Sequence, residues 1–405
     1  MKIGLSKPLL KHSGIYLFFD IFNKSIPFLF LPYLAHMLTI KELGMLELFN
    51  TYVALLTLLI LFGLDGWCSS TFYSLQKKEF SKRLILGLKI SFSLCLMSTF
   101  ILFLLHKSWW VVLSPVYAFS MGMIQIRALI FRLQFRTIAA SSLLFLNIAC
   151  GVCITLWVFS FVGPEFSGRI FALILPSIII SCMAVCSILR EFDNNVTLSS
   201  EEFFGFIKFT IPLIPNGLIN FIRFGADRFF VAHFMGVTNL ALFGVSYQFS
   251  MVANIFMLSL NQAFMPFTIR LLNEYRLREF FKMVVFIFVI YSFFLTVLYI
   301  STPMLLQFFF DKKYQVAQYI SRSYYLAYPF ILLSILLMNF AFIRGRTTSI
   351  LLITMVSSLL HLCVLCYLLM HDAPLEYIPN ALLISSFCSL GLSFFLFVRL
   401  ARDGE

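Results

Sequence analysis

The sequence predicts an all-α integral membrane protein with about twelve transmembrane helices, arranged as two pseudo-repeated six-helix bundles around a central cavity. Of its 405 residues, 61% are hydrophobic and only 12% are charged, whereas soluble proteins carry roughly 25% charged residues. A helix that crosses a bilayer core of about 30 Å needs about 20 consecutive, mostly apolar residues. Such stretches recur from Ile15 to Leu400, and one polar segment divides them into two equal halves.

Apolar runs between short polar breaks predict the individual spans. They cover residues 14–38, 44–67, 84–105, 109–131, 137–160, 168–189, 207–235, 238–266, 283–302, 319–343, 347–370 and 377–399. The longest polar stretch, Arg190 to Glu202, lies between the sixth and seventh spans. The predicted organisation is therefore an N-terminal bundle at 1–190, a cytoplasmic linker at 191–206 and a C-terminal bundle at 207–405.

The basic residues predict the orientation of the chain in the membrane. About 20 of the 30 Lys and Arg residues fall in loops on the side of the N-terminus, and about six fall on the opposite side. The positive-inside rule then places both termini in the cytoplasm. Because the net charge of +12 is scattered among these loops, it does not indicate a nucleic-acid partner.

Other sequence features argue against an enzyme or a metal protein. The nine cysteines nearly all lie within apolar runs, where cysteine behaves as a small hydrophobe, and they imply neither a disulfide framework nor a metal site. The sequence contains no P-loop or other nucleotide motif, so no cofactor is expected. The predicted outer loops are too short to hold a separate catalytic domain, and no catalytic residue is assigned.

The two halves resemble each other in the order of their features. In the first half, a helix with Pro27 and Pro32 is followed by Gly44 and a polar second helix. In the second half, a helix with Pro212 and Pro215 is followed by Gly244 and again by a polar second helix. A basic loop follows the second helix of each half. Internal repeats of this kind are typical of transporters, whose substrate sites lie between the repeats.

Several ionisable residues fall within the predicted spans, where each costs at least about 2.5–3.5 kcal/mol to insert. On the first span, Asp20, Asn23 and Lys24 share one face at helical spacing. On the seventh, a polar stripe with spacings of four, three and four is formed by Asn216, Asn220, Arg223 and Asp227. Charged residues within spans usually face a bundle interior or a water-filled cavity.

We interpret these faces as the lining of a cavity that holds an anionic headgroup such as a diphosphate. Lys24 and Arg223 supply the positive charge, since Arg binds phosphate in a bidentate manner and Lys acts as a point charge. Asn23, Asn216, Asn220 and Arg228 are further candidates, although the long side chain of Arg228 also suits anchoring at the interface. In the alternative interpretation, Asp20 with Lys24 and Arg223 with Asp227 are only i, i+4 ion pairs.

Four acidic residues are candidates for charge pairing or ion coupling. Asp20 and Asp227 accompany the basic residues, while Glu47 and Asp65 lie at opposite ends of the second span. Carboxylates in a low-dielectric medium can take up and release protons near neutral pH. For Glu47 and Asp65 we prefer the interpretation as a helix-end or interfacial acid, and His36, His233 and His361 receive no role.

The order of several segments resembles the bacterial O-antigen flippases of the polysaccharide transporter family, in the superfamily that also holds multidrug exporters and lipid II flippases. The resemblance covers nearly the whole chain. In the first half it rests on FFDIFNKSIPFLFLPYLAHMLTIKELGMLELFNTY and ILFGLDGW, and in the second half on IPLIPN, FGADRFF, FGVSYQF and NQAFMPF. Asp20, Asn23, Lys24 and Pro27 match the polar first helix of the family, and Asp227 and Arg228 match its seventh.

The resemblance implies a transporter of the bacterial inner membrane. Its substrate would be a polyprenyl-diphosphate-linked oligosaccharide, turned from the cytoplasmic to the periplasmic face by alternating access. Its partners would be membrane lipids, the polysaccharide polymerase and chain-length machinery, and a coupling proton or sodium ion. The sugar and the energy source stay open.

Three rival functions differ in their expected charges and loops. A multidrug antiporter of the same superfamily would use acidic residues to hold cationic drugs, whereas Lys24 and Arg223 are basic. A polysaccharide polymerase or ligase would carry a large periplasmic loop. A membrane scaffold would have no reason to keep buried charges on both pseudo-equivalent helices.

Overall fold

The computed structural model describes the backbone of residues 7–105, 107–192 and 200–402, and the side chains of these residues other than 7–18, 20, 21 and 24. The described backbone is helical, with short 3-10 turns at Lys312–Tyr314 and Leu375–Tyr377. The α-helices are α1 Lys7–Met37, α2 Ile40–Leu61, α3 Leu64–Thr71, α4 Lys77–Leu104, α5 Trp109–Leu133, α6 Thr137–Phe161, α7 Phe166–Glu191, α8 Ser200–Thr210, α9 Leu213–Phe224, α10 Asp227–Phe234, α11 Val237–Asn273, α12 Leu277–Phe309, α13 Ala317–Ile343, α14 Thr347–Met370 and α15 Asn380–Arg402.

The lengths and surfaces of these helices are those of a multi-pass membrane protein. Within the described residues, 11 helical stretches are long and apolar enough to cross a bilayer, and α1 coincides with the first predicted span. Large apolar side chains lie on the outside, for example Phe308 at 82% exposure and Phe293 at 72%. Exposure of so much apolar surface is unfavourable in water, whereas contact with lipid is favourable. The predicted fold class of about twelve helical spans is confirmed.

Two of the predicted spans are broken helices. The second span divides into α2 and α3 at Phe62 and Gly63, whose φ angles of 52° and 73° are left-handed. The seventh span divides into α8, α9 and α10, with breaks at 211–212 and 225–226. Pro212 falls in the first of these breaks, where it cannot donate the backbone hydrogen bond that a continuous helix requires.

The first compact unit ends at Leu218 and is organised around α5, which packs against α2, α4, α6 and α7. A capping box fixes the start of α2, because Thr39 Oγ1 accepts from the Glu42 amide at 3.2 Å and the Glu42 carboxylate accepts from the Thr39 amide at 3.0 Å. At the other end of the second span, Trp67 stacks on Phe80 and contacts Phe206 edge-on. These aromatic contacts join α3 to α4 and α8.

The second compact unit begins at Ile219 and is organised around α13, which packs against α11, α12 and α15. Small polar residues allow α13 and α15 to approach closely, since the Ser334 hydroxyl lies 2.9 Å from that of Ser389 and 2.8 Å from that of Ser393. Phe280, Phe340 and Phe397 form an aromatic cluster between α12, α13 and α15.

The same packing order occurs inside both units. The fourth span of each half, α5 or α13, contacts the second, third and sixth spans of that half. The first span contacts the fifth in each case, through α1 with α6 and α10 with α14. This correspondence confirms the internal repeat that the sequence predicts.

The boundary between the predicted bundles stays a prediction. Within the predicted linker 191–206, residues 193–199 lie outside the described residues, and α8 begins at Ser200. The compact units divide within α9, between Leu218 and Ile219.

Candidate functional site

The break between α9 and α10 places the charged residues of the seventh span. The amides of Gly225 and Ala226 both donate to the Phe221 carbonyl, at 2.7 and 2.9 Å, so the regular i to i−4 pattern is interrupted here. Arg223 lies before this break and Asp227 immediately after it. The helical spacing that would set Arg223 and Asp227 on one continuous face therefore does not hold.

Arg223 is a buried cation. Its exposed fraction is 6%, and its Nη2 donates to Ser386 Oγ of α15 at 3.3 Å. Within the described residues, no carboxylate lies within ion-pair distance of its guanidinium. The i, i+4 pairing of Arg223 with Asp227 that the sequence left open does not form.

Asp227 pairs with a histidine from a distant part of the chain. Its Oδ1 lies 2.7 Å from His361 Nε2 of α14, and its Oδ2 accepts from the Tyr324 hydroxyl of α13 at 3.5 Å. The side chains are almost fully enclosed, at 7% exposure for Asp227 and 0% for His361. Because burial of an isolated carboxylate is unfavourable, these two partners stabilise Asp227 in the interior of its unit.

Arg228 lies beside this cluster and is half-buried. Its guanidinium stacks over the Tyr247 ring at 3.9 Å, and Nη1 donates to the Phe224 carbonyl at 3.5 Å. Tyr247 in turn contacts Tyr324 edge-on. A cation–π contact of this kind holds the charge of Arg228 against an aromatic ring.

The two asparagines of the seventh span lie on α9, before the break at 225–226. Asn216 and Asn220 are both exposed. Asn216 lines a cavity of about 400 Å³ together with Asp65 of α3 and Gln125 of α5. The structure thus brings the predicted residues Asn216 and Asp65 together, whereas Arg223 belongs to a different group.

The predicted residues of the first span are only partly described. The side chains of Asp20 and Lys24 lie outside the described residues. Asn23 is 6% exposed, and its amide donates to the Ser141 carbonyl of α6 at 3.3 Å. Asn23 therefore joins α1 to α6 inside the first unit.

The two acidic candidates of the second span differ in burial. Glu47 is 6% exposed within α2. Asp65 is exposed and lies in the first turn of α3, directly after the helix break. A carboxylate at this position also interacts favourably with the amide end of the helix.

Sequence reasoning missed three residues of the Asp227 and Arg223 group. His361, Tyr324 and Ser386 lie 97 to 163 residues away from their partners. A lone histidine in an aromatic-rich span gave no signal of its own. A histidine and an aspartate that both lie within apolar spans, each otherwise unpaired, are the feature that could have suggested this contact.

Comparisons with known proteins agree with the fold and give the family. The family model described as polysaccharide biosynthesis protein matches residues 9–272, more than half of the chain. An uncharacterized membrane protein of Haemophilus influenzae is 22% identical over 381 residues, covering 92% of this chain and 93% of the relative. A protein of the Lsg locus of the same organism is 21% identical over 418 residues, covering 97% and 98%.

Two solved structures share the fold at low sequence identity. An inward-facing multidrug resistance transporter of the MATE family has a TM-score of 0.74 and 14% identity, covering 94% of this chain and 95% of the other. The lipid II flippase MurJ in an inward closed conformation has a TM-score of 0.71 and 14% identity, covering 96% and 90%. With the match over residues 9–272, the chain belongs to the polysaccharide biosynthesis protein family.

Proposed function

We propose that this protein is a flippase that moves a polyprenyl-diphosphate-linked oligosaccharide, such as an O-antigen repeat unit, from the cytoplasmic to the periplasmic face of the bacterial inner membrane by alternating access. Membership of a polysaccharide biosynthesis family supports the substrate class. The fold shared with transporters, one of which is named a lipid II flippase, supports a translocating role. Both termini would lie in the cytoplasm, as the basic loops predict.

The observation that carries the proposal is Arg223. A guanidinium that is 6% exposed and lacks a carboxylate partner within the described residues retains an uncompensated positive charge. Keeping such a charge in a membrane protein is costly, so it usually marks a functional site. A diphosphate would supply the missing negative charge, and the planar fork of Arg suits its oxygens.

The other predicted residues are further candidates for contact with the substrate. Lys24, Asn23, Asn216, Asn220 and Arg228 would contribute charge or hydrogen bonds to substrate. Asp20, Asp227, Glu47 and Asp65 would serve as charge partners or as carriers of a coupling proton or sodium ion. Membrane lipids surround the protein, and polysaccharide polymerase and chain-length machinery are the proposed protein partners.

The experiment starts from a host strain that lacks the gene. We expect loss of surface polysaccharide and accumulation of lipid-linked units, both reversed by the wild-type chain. Arg223→Gln should restore less than about a tenth of the polysaccharide while reaching normal abundance in the membrane, and Lys24→Ala is tested beside it. Normal surface polysaccharide in the deletion strain would show that the proposal is wrong.

A matched control tests whether the loss of any arginine charge, and not that of Arg223 in particular, impairs transport. Arg270→Gln also removes one arginine, but that side chain is 74% exposed and ion-paired with Glu274 at 2.9 Å. The hydrogen bond from Arg270 holds the pKa of the Glu274 carboxyl below its usual range. We expect Arg270→Gln to restore polysaccharide fully.

A multidrug antiporter is the second candidate, because a MATE-family structure matches the fold with the TM-score of 0.74. Arg223, which is buried and has no carboxylate partner among the described residues, would repel a cationic drug, and this favours the flippase. Ethidium efflux from the deletion and complemented strains distinguishes the two functions. Efflux that depends on this chain, with unchanged polysaccharide, would favour the antiporter.

A further inference from the structure

The first unit contains a cavity near the break in its second span. This cavity, here called the α3–α9 cavity, has a volume of about 400 Å³ and is lined by residues of α2, α3, α5 and α9. Its polar lining residues are Thr57, Asp65, Gln125 and Asn216. Binding pockets for small organic ligands have volumes of roughly 300–1,000 Å³, so the cavity is of the size that holds one.

The helix break builds one wall of the cavity. Gly63 has a φ of 73°, and a Cβ there would lie 3.0 Å from the Thr210 carbonyl oxygen and 3.1 Å from Leu213 Cβ. The turn between α2 and α3 can therefore approach the α8–α9 turn only because residue 63 is glycine. On the other side, a Cβ at Gly217 would lie 2.7 Å from Leu58 Cδ1. Close packing at Gly63 and Gly217 thus fixes two walls of the cavity, and the Asp65 and Gln125 side chains are exposed in its lining.

The charges of the lining exclude a phosphate. Among the described residues, no lysine or arginine lines the cavity, and Asp65 would repel an anion. A bare metal ion is also a poor fit, because Asp65 is the one carboxylate among the described lining residues and a hard cation such as Ca²⁺ takes six or more oxygen ligands. A cationic drug would be favoured by an aromatic lining, and the described lining residues include no aromatic side chain.

The hydrogen-bonding groups instead fit a ligand rich in hydroxyls. Asp65 and Gln125 are exposed, and within the described residues neither side chain has a hydrogen-bond or ion-pair partner. The carboxylate accepts hydrogen bonds, whereas the amides of Gln125 and Asn216 both donate and accept. Leu58, Leu61, Leu213 and Ile214 offer apolar surface for the C–H face of a sugar ring.

From this chemistry we infer that the α3–α9 cavity binds a sugar ring of the oligosaccharide, through Asp65, Gln125 and Asn216, separately from the group that holds the diphosphate. The inference rests on the proposed flippase function. It identifies the cavity as the site where the flippase distinguishes its sugar. Asp65 lies at the end of the second span that the basic loop Gln76 to Arg83 places in the cytoplasm. The cavity would therefore receive the sugar on the side where substrate is loaded.

The experiment compares two probes on the purified full-length protein in lipid nanodiscs. One probe is the lipid-linked oligosaccharide extracted from the deletion strain, and the other is polyprenyl diphosphate without sugar. We expect wild type to bind the glycosylated probe at least tenfold more tightly. Gln125→Leu and Asp65→Asn should each lower that affinity about fivefold and leave binding of the bare diphosphate unchanged.

Controls use the same chemical changes at exposed positions outside the cavity. Gln307→Leu in α12 and Asp372→Asn after α14 should leave both affinities unchanged. Arg223→Gln should lower the affinity for both probes by the same factor, because both probes contain the diphosphate that Arg223 is proposed to bind. Thermal unfolding of each variant checks that it is folded.

The outcomes separate this inference from the proposed function. One contrary outcome is that wild type binds both probes with equal affinity, and another is that the cavity variants lower the affinity for both probes by the same factor. Either outcome would show that the cavity does not recognise the sugar, although the flippase function stands. If wild type binds neither probe, the flippase function fails and the inference fails with it. Loss of tetraphenylphosphonium binding in Asp65→Asn, with sugar binding intact, would assign the cavity to organic cations instead.

Discussion

The two units differ in the partner of a buried arginine. Among the described residues, Arg127 of the first unit and Arg223 of the second are the two arginines that are nearly fully buried, at 3% and 6% exposure. Arg127 donates to the Glu191 carboxylate at 2.7 Å, whereas Arg223 has the Ser386 hydroxyl as its one side-chain hydrogen-bond partner in the described part of the chain. Arg127 thus has a carboxylate partner, and for Arg223 we propose that the substrate supplies the negative charge.

The surroundings of the two arginines make this difference informative. Glu191 also accepts from the Gln134 amide, so the carboxylate is held in place for Arg127. In the second unit, the nearest comparable acid along the chain, Asp227, is already engaged by His361 and Tyr324. We therefore expect Arg127 to act in stability and Arg223 in substrate binding. Four predictions follow from this difference, in order of decreasing effect.

Removing the charge of Arg127 should damage folding rather than transport. We expect Arg127→Gln to lower the free energy of unfolding by about 3 kcal/mol, near the low end for breaking a buried ion pair, because the Glu191 side chain is 27% exposed. Abundance in the membrane and thermal unfolding of the purified protein measure this. A normally abundant variant without transport would contradict the comparison.

Breaking the Asp227–His361 pair should also destabilise the protein. His361→Leu leaves a buried carboxylate with one partner fewer, and Asp227→Asn removes the charge that the histidine faces. Each variant is expected to lose about 2 kcal/mol of unfolding free energy. The double variant should lose less than the sum, which a thermal-unfolding cycle detects. Strict additivity would show that the two residues do not interact.

Keeping the charge but changing the shape at Arg223 should have a moderate effect. Arg223→Lys retains a cation but lacks the planar fork that binds two phosphate oxygens. We expect complementation to fall about tenfold, less than with Arg223→Gln, at unchanged abundance. Full activity of the lysine variant would mean that a point charge is sufficient.

The smallest expected effect comes from the hydroxyl that holds Arg223. Ser386→Ala removes a hydrogen bond of 3.3 Å to the guanidinium, worth about 0.5–1 kcal/mol. We expect transport to fall about threefold without loss of abundance. Ser385→Ala is the neighbouring control, since its hydroxyl donates to the Leu382 carbonyl of its own helix at 3.0 Å.

The sequence predicted much of the fold because membrane spans depend on local composition. The fifth and eleventh predicted spans, 137–160 and 347–370, differ from α6 and α14 by at most one residue at either end. The breaks at Phe62 and Gly63 and at 225–226 were not predicted. The residues around Gly63 are apolar up to Leu64, so hydropathy gives no sign of a break there. The reason for the turn is the close packing of Gly63 against Thr210 and Leu213, which only the structure shows.

The candidate site was less accessible to sequence reasoning. Arg223 and Asp227 were identified as buried charges, because charged residues within an apolar run stand out in any sequence. Helical spacing left their pairing open as an alternative interpretation, and the break at Gly225 and Ala226 interrupts that spacing. His361 supplies the partner from α14, a contact between residues 134 positions apart that no local pattern encodes.

By itself, the sequence determined that this chain is a multi-pass helical membrane protein with an internal repeat and charges within its spans. These properties follow from the length and polarity of successive segments, which the bilayer constrains one segment at a time. Only the tertiary structure decided that Asp227 pairs with His361, that Arg223 has no carboxylate partner among the described residues, and that Asp65, Gln125 and Asn216 line one cavity. Those outcomes depend on contacts between helices that are distant in the chain, and such contacts are set by packing and not by local periodicity.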